Sequence, residues 1–475
     1  MSHPAFDAAP LSTVQIMKLS FLKNRCARCA LGARLPLATL VLFSVLAGCQ
    51  DAVQAPSLSE ALLTTIALDE SLQEVSDSNW PGWRGHNASG VSQCNHLPVE
   101  WDQREGWRWR QRLRGLGNSS PVVWEDSVLI TSDINGTLNV ECYSLLDGQP
   151  RWSTAAGQTQ GTTHVKNGHA SATVVTDGER VYAFFGGAGL HCFSLQDGSI
   201  VWQQSLGDLE HHWGTASSPV LYEDLVIQMC DNHQESFLVA LNKLSGEEVW
   251  RTPRPSNGSW STPTFVTVQR GDKQFVEMIV NGTGTDHAGG GQVFAYDPLM
   301  GHELWNVRGT KDIVCPTAIV HEGLVLSTSG RNGPIIAIRP GGFGEVSDSH
   351  VAWREPRGGP YVPTGLAMDH RLYLIADNGN ASCYDTQSGT RLWRERLPGK
   401  FTASLVAGDG KIYATSEEGT VYVFAPGDEF KLLATNRLND GCLATPAVAA
   451  GNLLIRTESY LYCFGPMQLA AAERE

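Results

Sequence analysis

The sequence predicts an all-β fold, an eight-bladed β-propeller of four-stranded antiparallel blades. Three observations predict it. A glycine followed four residues later by a tryptophan recurs at Gly148/Trp152, Gly198/Trp202, Gly246/Trp250, Gly301/Trp305 and Gly389/Trp393. Four short runs rich in β-branched and aromatic residues fill one repeat of about 40–50 residues, which is the length of a propeller blade. Many of these runs are apolar on both faces, as expected where blades stack against each other.

Each repeat begins with a first strand, and counting these strands gives eight. Two of them, near Thr173 and Ala403, lack a proline at their start. The other six begin at Pro121, Pro219, Pro263, Pro316, Pro363 and Pro446. Because proline has no N–H group to donate, it fits the first position of an edge strand. We therefore place these strands at the inner edges of the blades, facing a central channel.

The fourth strands carry the tryptophans, and they are also eight in number. One of them, about Leu433, has no tryptophan. The others centre on Trp109, Trp152, Trp202, Trp250, Trp305, Trp353 and Trp393. The strand at Trp109 has no earlier strands of its own, and the last repeat, Ala444 to Pro466, stops after its third strand. We therefore predict that the N-terminal strand completes the last blade and closes the ring.

Residues 1–48 are predicted to be a lipoprotein signal peptide. Basic residues precede a largely apolar run from Leu35 to Leu46, which is shorter than the roughly 20 residues that span a bilayer. The run closes with Leu46-Ala47-Gly48-Cys49, which resembles the lipobox of bacterial lipoproteins. Cys49 is therefore the predicted lipidated residue. Residue 50 is Gln and not the Asp associated with inner-membrane retention in some Gram-negative lipoproteins, which favours the outer membrane.

Three further regions follow the signal peptide. They are a flexible spacer (49–79), the propeller (80–466) and a disordered C-terminal tail (467–475). The exported chain is expected in the cell envelope, lipid-anchored to a membrane, with the outer membrane or the periplasmic face favoured. A translation start at Met1 and one at Met17 both remain open, since residues 1–16 add nothing to the signal.

The cysteines of the propeller are predicted to be free thiols where they fall in the repeat. Cys142, Cys192 and Cys383 lie six residues before the repeat glycine, and Cys463 follows the same pattern as Cys192. Other copies have alanine there, so the position requires a small buried residue. Blades pack about 10 Å apart, whereas a disulfide needs Cα atoms within about 7 Å. Four others are left open, namely Cys94, Cys230, Cys315 and Cys442, although Cys315 aligns with Ser120, Ser218 and Thr262 just before a first-strand proline.

The repeat resembles that of the PQQ-like (pyrroloquinoline-quinone) propellers over residues 80–466. The pattern is Asp-x-x-(Ser/Thr/Asp)-Gly-x-x-x-Trp, met best by Asp385 to Trp393, with Asn242 and Met300 as departures in two other copies. The resemblance implies that the tryptophans dock between blades. The stretch Trp80-Pro-Gly-Trp-Arg-Gly resembles members from planctomycete-type genomes. Related groups include the propeller lipoprotein of the outer-membrane β-barrel assembly machine, a binding scaffold, and the quinoprotein dehydrogenases, which are enzymes.

Candidate functional residues lie in unrepeated loops after the second and fourth strands, which open on one face of a propeller. The predicted loop-face surface consists of His164, His169, His211, His212, Asp231, His233, Asp286 and His287. Imidazoles with carboxylates can bind transition metals. The set lacks a tight ligand spacing such as His-x-x-x-His, so the sequence favours a partner or small-molecule surface and we predict no metal site.

The function predicted from the sequence is a non-catalytic binding or scaffold module anchored in the envelope, with a protein partner or small molecule at the loop face. The alternatives are a PQQ-dependent oxidoreductase and a periplasmic sugar or peptide sensor. No cofactor and no catalytic residue are predicted, since the chain lacks the adjacent Cys-Cys pair typical of quinoprotein dehydrogenases; PQQ with Ca²⁺ belongs to the enzyme alternative. The formal charge of −14, without a basic stripe, excludes nucleic acid as a partner, and a monomer is expected.

Overall fold

The computed structural model describes residues 78–101, 104, 106–283, 290–311 and 313–465. These residues form eight sheets, each with four antiparallel strands at its core, which confirms the predicted eight-bladed propeller. Helical structure in the described residues is limited to the α-helix α1 (Ser347–His350) and two 3-10 turns, His86–Ala88 and Gly186–Ala188. None of the described helices has the length and apolar character needed to cross a membrane. The predicted signal peptide, Cys49, most of the spacer, Asp286, His287 and the C-terminal tail lie outside the described residues.

The strands are numbered in chain order, and each blade runs from its innermost to its outermost strand. Blade 1 comprises β2 (Val122–Trp124), β3 (Ser127–Ile134), β4 (Thr137–Ser144) and β5 (Pro150–Gln158). Blade 2 comprises β6 (Val175–Thr176), β7 (Arg180–Phe184), β8 (Leu190–Ser194) and β9 (Ile200–Gln204). Blade 3 comprises β10 (Val220–Tyr222), β11 (Leu225–Cys230), β12 (Phe237–Asn242) and β13 (Glu248–Pro253). Blade 4 comprises β14 (Thr264–Arg270), β15 (Lys273–Gly282), β16 (Gly291–Tyr296) and β17 (Glu303–Thr310).

The remaining blades follow the same order. Blade 5 comprises β18 (Ile319–His321), β19 (Leu324–Thr328), β20 (Gly333–Ile338) and β22 (Val351–Gly359). Blade 6 comprises β23 (Leu366–Met368), β24 (Arg371–Ile375), β25 (Asn380–Asp385) and β26 (Arg391–Arg396). Blade 7 comprises β27 (Val406–Gly408), β28 (Lys411–Thr415), β29 (Thr420–Ala425) and β30 (Lys431–Arg437). Blade 8 comprises β31 (Ala447–Ala449), β32 (Asn452–Arg456), β33 (Tyr460–Phe464) and the N-terminal β1 (Trp109–Arg112).

The ring closes as predicted, through the N-terminal strand. β1 pairs antiparallel with β33, with Trp109 opposite Cys463 and Arg112 opposite Tyr460. One blade departs from the four-stranded plan. The short strand β21 (Gly344–Glu345) adds to β17 in parallel, which gives blade 4 a fifth strand before the chain enters β22. The outer edge of blade 4 is therefore covered, unlike that of its neighbours.

The repeat tryptophans dock between neighbouring blades. In six cases the indole N–H donates to a backbone carbonyl of the next blade, at 2.7–3.2 Å, with acceptors at Leu145, Leu195, Lys243, Pro298, Thr386 and Gly427. Trp305 differs, since its N–H donates to the buried carboxylate of Glu277 within its own blade. Burial raises the pKa of Glu277, and the amide of Gly341 also donates to this carboxylate.

The cysteine prediction is confirmed, and the register explains it. Cys142, Cys192, Cys383 and Cys463 each lie directly opposite a repeat tryptophan on the adjacent outer strand. Ala240 holds the same place opposite Trp250. A small residue is needed there because the indole occupies the neighbouring space. Three of the cysteines whose state the sequence left open, Cys230, Cys315 and Cys442, are free thiols as well.

A belt of hydroxyl groups joins the blades around the channel. At the start of seven first strands, those of blades 1 to 7, a backbone N–H donates to a serine or threonine hydroxyl of the following blade, at 2.9–3.1 Å. The chain of donors and acceptors runs through Ser120, Thr173, Ser218, Thr262, Thr317, Thr364, Ser404 and Thr445. The member from blade 5 is Thr317, so the alignment of Cys315 with Ser120 was wrong by two residues.

The segment Trp80–Ser92, which we call the plug, crosses the central channel beyond this belt. Trp80 forms a β-bridge with Val123 of blade 1, and Pro81 accepts the amide N–H of Thr176 of blade 2. Further along, the plug contacts blade 4 through Asn87 and Phe265, and blade 7 through Ala407, whose N–H donates to Gly90. Because these strands lie on different sides of the ring, the plug closes the channel at this level.

Candidate functional site

Two cavities open at the end of the ring formed by loops after the second and fourth strands, which we call the loop face. The first, the funnel, has a volume of about 330 Å³ and lies in the mouth of the central channel, bordered by belt residues such as Ser120 and Thr262. The second, the side cavity, has a volume of about 460 Å³ and lies beside it, against the loops of blades 1, 2 and 3. The side cavity is built mainly from the unrepeated loops that the sequence singled out, and the same loops contribute one part of the funnel wall.

The predicted loop-face residues separate between the two cavities. His164 lines the funnel. His169, His211, His212 and His233 line the side cavity. The loop between β9 and β10 forms the partition, because Trp213 faces the funnel while its neighbours His211 and His212 face the side cavity.

Asp231 was expected on the exposed loop surface, and the structure buries it instead. Its carboxylate accepts hydrogen bonds from Arg254 at 2.9 Å and from the Ser256 hydroxyl at 2.7 Å, and both charged side chains have no exposed area. Arg254 also donates to the hydroxyl of Tyr296. A buried charge must be paired to be tolerated, so this ion pair fixes the base of the loop between β11 and β12.

The funnel wall is aromatic on one side. Trp213 and Trp260 lie with ring centroids 5.7 Å apart, and the Trp260 indole N–H donates to the Gly214 carbonyl at 2.8 Å. The carbonyl of Trp213 accepts a hydrogen bond from the side chain of Asn167 at 2.7 Å. These bonds fix two indole faces at the mouth of the channel.

Charged side chains form another part of the funnel wall. The Arg331 guanidinium lies 5.1 Å from the Tyr361 ring centroid, and the Asp377 carboxylate accepts the Tyr361 amide N–H at 2.7 Å. Lys166 is paired with Glu417. Burial raises the pKa of Asp377 and raises that of the Cys315 thiol to about 12, so this thiol is a neutral wall group.

The floor of the funnel is Trp83 of the plug. Its neighbour Arg84 is fully buried, donates to the Ser89 carbonyl at 3.2 Å and lies 5.6 Å from the Trp83 ring centroid. Burial lowers the pKa of Arg84 to about 9. The funnel is therefore a pocket closed at one end rather than a passage through the ring.

The side cavity brings three histidines together. The Nδ1 atom of His212 lies 2.6 Å from the Nε2 atom of His233, and the His211 ring stacks on the His233 ring with centroids 3.9 Å apart. His212 and His233 are exposed, whereas His211 is buried. Burial, together with the neighbouring His233 and His212, lowers the pKa of His211 to about 4, which keeps this imidazole neutral at physiological pH.

The sequence missed the residues that form most of the funnel, namely Trp83, Lys166, Trp260, Arg331, Tyr361 and Asp377. One signal was available for three tryptophans near the channel: Trp83, Trp213 and Trp260 do not follow a repeat glycine at the four-residue spacing. Because these three tryptophans lie outside the repeat, they were candidates for a role other than docking between blades. No comparable signal marks Arg331 or Asp377, which come from turns of different blades.

The family model and the curated relatives that match this chain carry the same description. The family described as outer membrane protein assembly factor BamB matches residues 98–230 and 344–429. BamB from Yersinia pestis is 23% identical over 358 residues, covering 71% of this chain and 81% of that protein, and BamB from Salmonella typhimurium is 25% identical over 353 residues, covering 72% and 82%.

Two solved structures show a similar fold. A europium-containing methanol dehydrogenase aligns with a TM-score of 0.61 at 11% identity, covering 82% of this chain and 98% of that one. BamB from Moraxella catarrhalis aligns with a TM-score of 0.54 at 12% identity, covering 75% and 98%. At these identities the likeness concerns the propeller alone.

Proposed function

We propose that this chain, a PQQ-like β-propeller related to the outer membrane protein assembly factor BamB, is a non-catalytic scaffold of the cell envelope that binds a protein partner at its loop face. The role named for its relatives supports a partner involved in outer-membrane protein assembly. The observation that carries the proposal is the funnel, a closed pocket whose wall offers indole and phenol faces beside fixed charges.

The chemistry of the funnel suits a protruding side chain or short segment of a protein. Its volume of about 330 Å³ is at the small end of ligand pockets, which run from about 300 to 1,000 Å³. Aromatic and arginine side chains are the residues that dominate binding energy at interfaces. Trp213, Trp260 and Arg331 are already held by contacts within the chain, so little side-chain freedom is lost on binding.

The proposed location follows from the N-terminal sequence. The signal peptide 1–48 would direct export, Cys49 would carry the lipid, and the spacer 49–79 would separate the propeller from the membrane. The loop face would then be available to an envelope partner.

The enzyme alternative requires the funnel to hold PQQ with Ca²⁺, and the described residues do not fit that pair. Ca²⁺ takes six to eight oxygen ligands, mostly from carboxylates and carbonyls. Among the described residues that line the funnel, the carboxylates are limited to Asp377, which already accepts a backbone N–H and whose pKa is raised by burial. A desolvated carboxyl of this kind disfavours the ionised form that a Ca²⁺ ligand needs.

Site-specific photo-crosslinking tests the proposal. The full chain, carrying p-benzoylphenylalanine at Tyr361 of the funnel, is expressed in its own cells and irradiated. We expect a crosslink to a component of outer-membrane protein assembly, and we expect Arg331→Glu in the same chain to weaken it. The matched control places the crosslinker at Leu244, which is half exposed in the turn between β12 and β13 at the opposite end of the blade.

Equal crosslinking from Tyr361 and Leu244 would reject a loop-face partner. A second arm adds PQQ and Ca²⁺ to the purified chain. Quinone absorbance retained after desalting, with dye-linked alcohol oxidation, would support the oxidoreductase in place of the scaffold.

A further inference from the structure

The side cavity contains a group of side chains that the scaffold role does not use. The ligand-capable atoms of His211, His212 and His233 all lie within 4.8 Å of one another. These histidines come from two loops, one before blade 3 and one between its second and third strands. From these positions we propose that the three imidazoles form a binding site for a transition-metal dication such as Zn²⁺.

The closest pair sets the centre of the site. The Nδ1 atom of His212 lies 2.6 Å from the Nε2 atom of His233. Only one proton fits between two nitrogens at this distance, so at least one of them points a lone pair at the other. A Zn²⁺ ion bound at about 2.0–2.1 Å from each nitrogen would replace that proton and separate the nitrogens to about 3.3 Å in tetrahedral geometry. Both rings are exposed, so a shift of this size needs no repacking of the core.

His211 supplies the third ligand from below. Its ring contacts the rings of His212 and His233, at centroid distances of 5.0 and 3.9 Å. The Nδ1 atom of His211 accepts the Trp213 amide N–H at 3.1 Å, and the ring also hydrogen-bonds to the backbone of Asn257, so coordination by His211 replaces one of these two bonds. Three histidines leave a fourth position open to water in the cavity, which is the arrangement of sites that keep an exchangeable ligand.

The loops are held together without the metal. The His233 amide N–H donates to the Glu210 carbonyl at 3.0 Å, which joins the two histidine-bearing loops. Asn232, which is buried, accepts the amide N–H groups of Gln234 and Glu235 at 2.7 and 3.0 Å. The backbone of the loop carrying His233 is therefore fixed before any metal binds, so metal binding does not have to order this loop.

The choice of metal follows from the donor atoms. Imidazole nitrogens favour Zn²⁺, Ni²⁺ and Cu²⁺ over Mg²⁺ and Ca²⁺, which prefer oxygen ligands. Carboxylates of Asp208 and Glu210 also line the side cavity and add negative charge near a bound cation. The site is separate from the funnel, so it stands whether or not the funnel binds a partner.

Metal titration of the untagged full chain tests the proposal. Accessible thiols are first blocked with N-ethylmaleimide, and the chain is stripped with a chelator. Zn²⁺ is then titrated by calorimetry, and Co²⁺ by its visible d–d absorption. We expect one high-affinity ion per chain, a nitrogen-ligand Co²⁺ spectrum, and a weakening of at least about tenfold in His212→Ala and in His233→Ala, since loss of even an outer-shell partner costs 10–100-fold.

The control variant is His164→Ala, an exposed histidine of the same face that lines the funnel, and it should bind Zn²⁺ like the unmodified chain. Because His212 and His233 are exposed, their alanine variants should keep the β-sheet circular dichroism spectrum and thermal midpoint of the metal-free chain. Absence of binding in the unmodified chain, or undiminished binding in the His212→Ala/His233→Ala double variant, would overturn the proposal.

Discussion

At the scale of the residue, the glycine and the tryptophan of the repeat act on each other across blades. A Cβ atom added to Gly198 would lie 2.5 Å from the Trp152 ring of the preceding blade, and the same relation holds between Gly246 and Trp202. These glycines also have φ near +73°, where other residues are strained. Glycine is thus required for two reasons: the turn needs a positive φ, and the tryptophan ring of the neighbouring blade leaves no room for a Cβ atom.

This relation predicts different costs for two glycine-to-alanine substitutions. Gly410 has φ +64° and nothing within 4 Å of an added methyl group, so Gly410→Ala should lower the free energy of unfolding by about 1–2 kcal/mol, from backbone strain alone. Gly198→Ala adds a clash with Trp152, and overpacking typically costs a further 1–3 kcal/mol. Urea denaturation measures both values, and equal losses would contradict the packing explanation.

At the scale of the element, two N-terminal segments complete the propeller in different ways. β1 supplies the outer strand of blade 8 and hydrogen-bonds along β33. The plug instead crosses the channel and reaches blades 1, 2, 4 and 7, and its Trp80 is almost fully buried. The first closes the ring, whereas the second closes the channel.

Two deletions separate these roles. The chain without residues 80–92 should remain a monomer with a lower thermal midpoint, because the ring still closes through β1. The chain without residues 80–112 loses β1 as well, which exposes the unpaired N–H and C=O groups of the β33 edge and should cause self-association. Size-exclusion chromatography with light scattering distinguishes the two, and a stable monomer for the longer deletion would show that β1 is not needed for closure.

At the scale of the whole molecule, burial falls from the middle of each blade to its rim. Second strands such as β11 are buried along their full length, whereas outer strands such as β13 and β26 are largely exposed. The outer strand of blade 4, β17, is less exposed at its edge, because β21 and the amide of Val346 hydrogen-bond to it. The most buried contacts of the ring therefore lie in its inner strands and the hydroxyl belt, and blade 4 alone among these examples has a covered outer edge.

Hydrogen exchange followed by mass spectrometry checks this distribution. Peptides from β11 and the other second strands should exchange slowest, because local opening there breaks the most buried contacts. Peptides from β13 and β26 should exchange fast, and those from β17 clearly more slowly than either. Exchange of β17 at the rate of β13 would mean that the β21 pairing does not protect the edge.

The candidate site was predicted in part from the sequence. The sequence places the unrepeated loops on one face, because a repeat fixes the direction of every strand and hence the end at which each loop emerges. The sequence did not separate His164 from His211, nor show that Asp231 turns inward to Arg254. Those outcomes depend on which loops meet, and the loops come from different blades.

The sequence by itself determined the number of blades, their strand order, the closure through the strand at Trp109 and the free thiols opposite the tryptophans. These features follow from local periodicity and from pairing between strands close along the chain, or at its two ends. Only the tertiary structure decided that the Trp80–Ser92 segment closes the channel, that aromatic and charged residues of distant repeats form the funnel, and that His212 and His233 come within 2.6 Å. Each of these brings together loops or segments that no repeat relates, so their meeting is set by the curvature of the ring and leaves no spacing in the sequence.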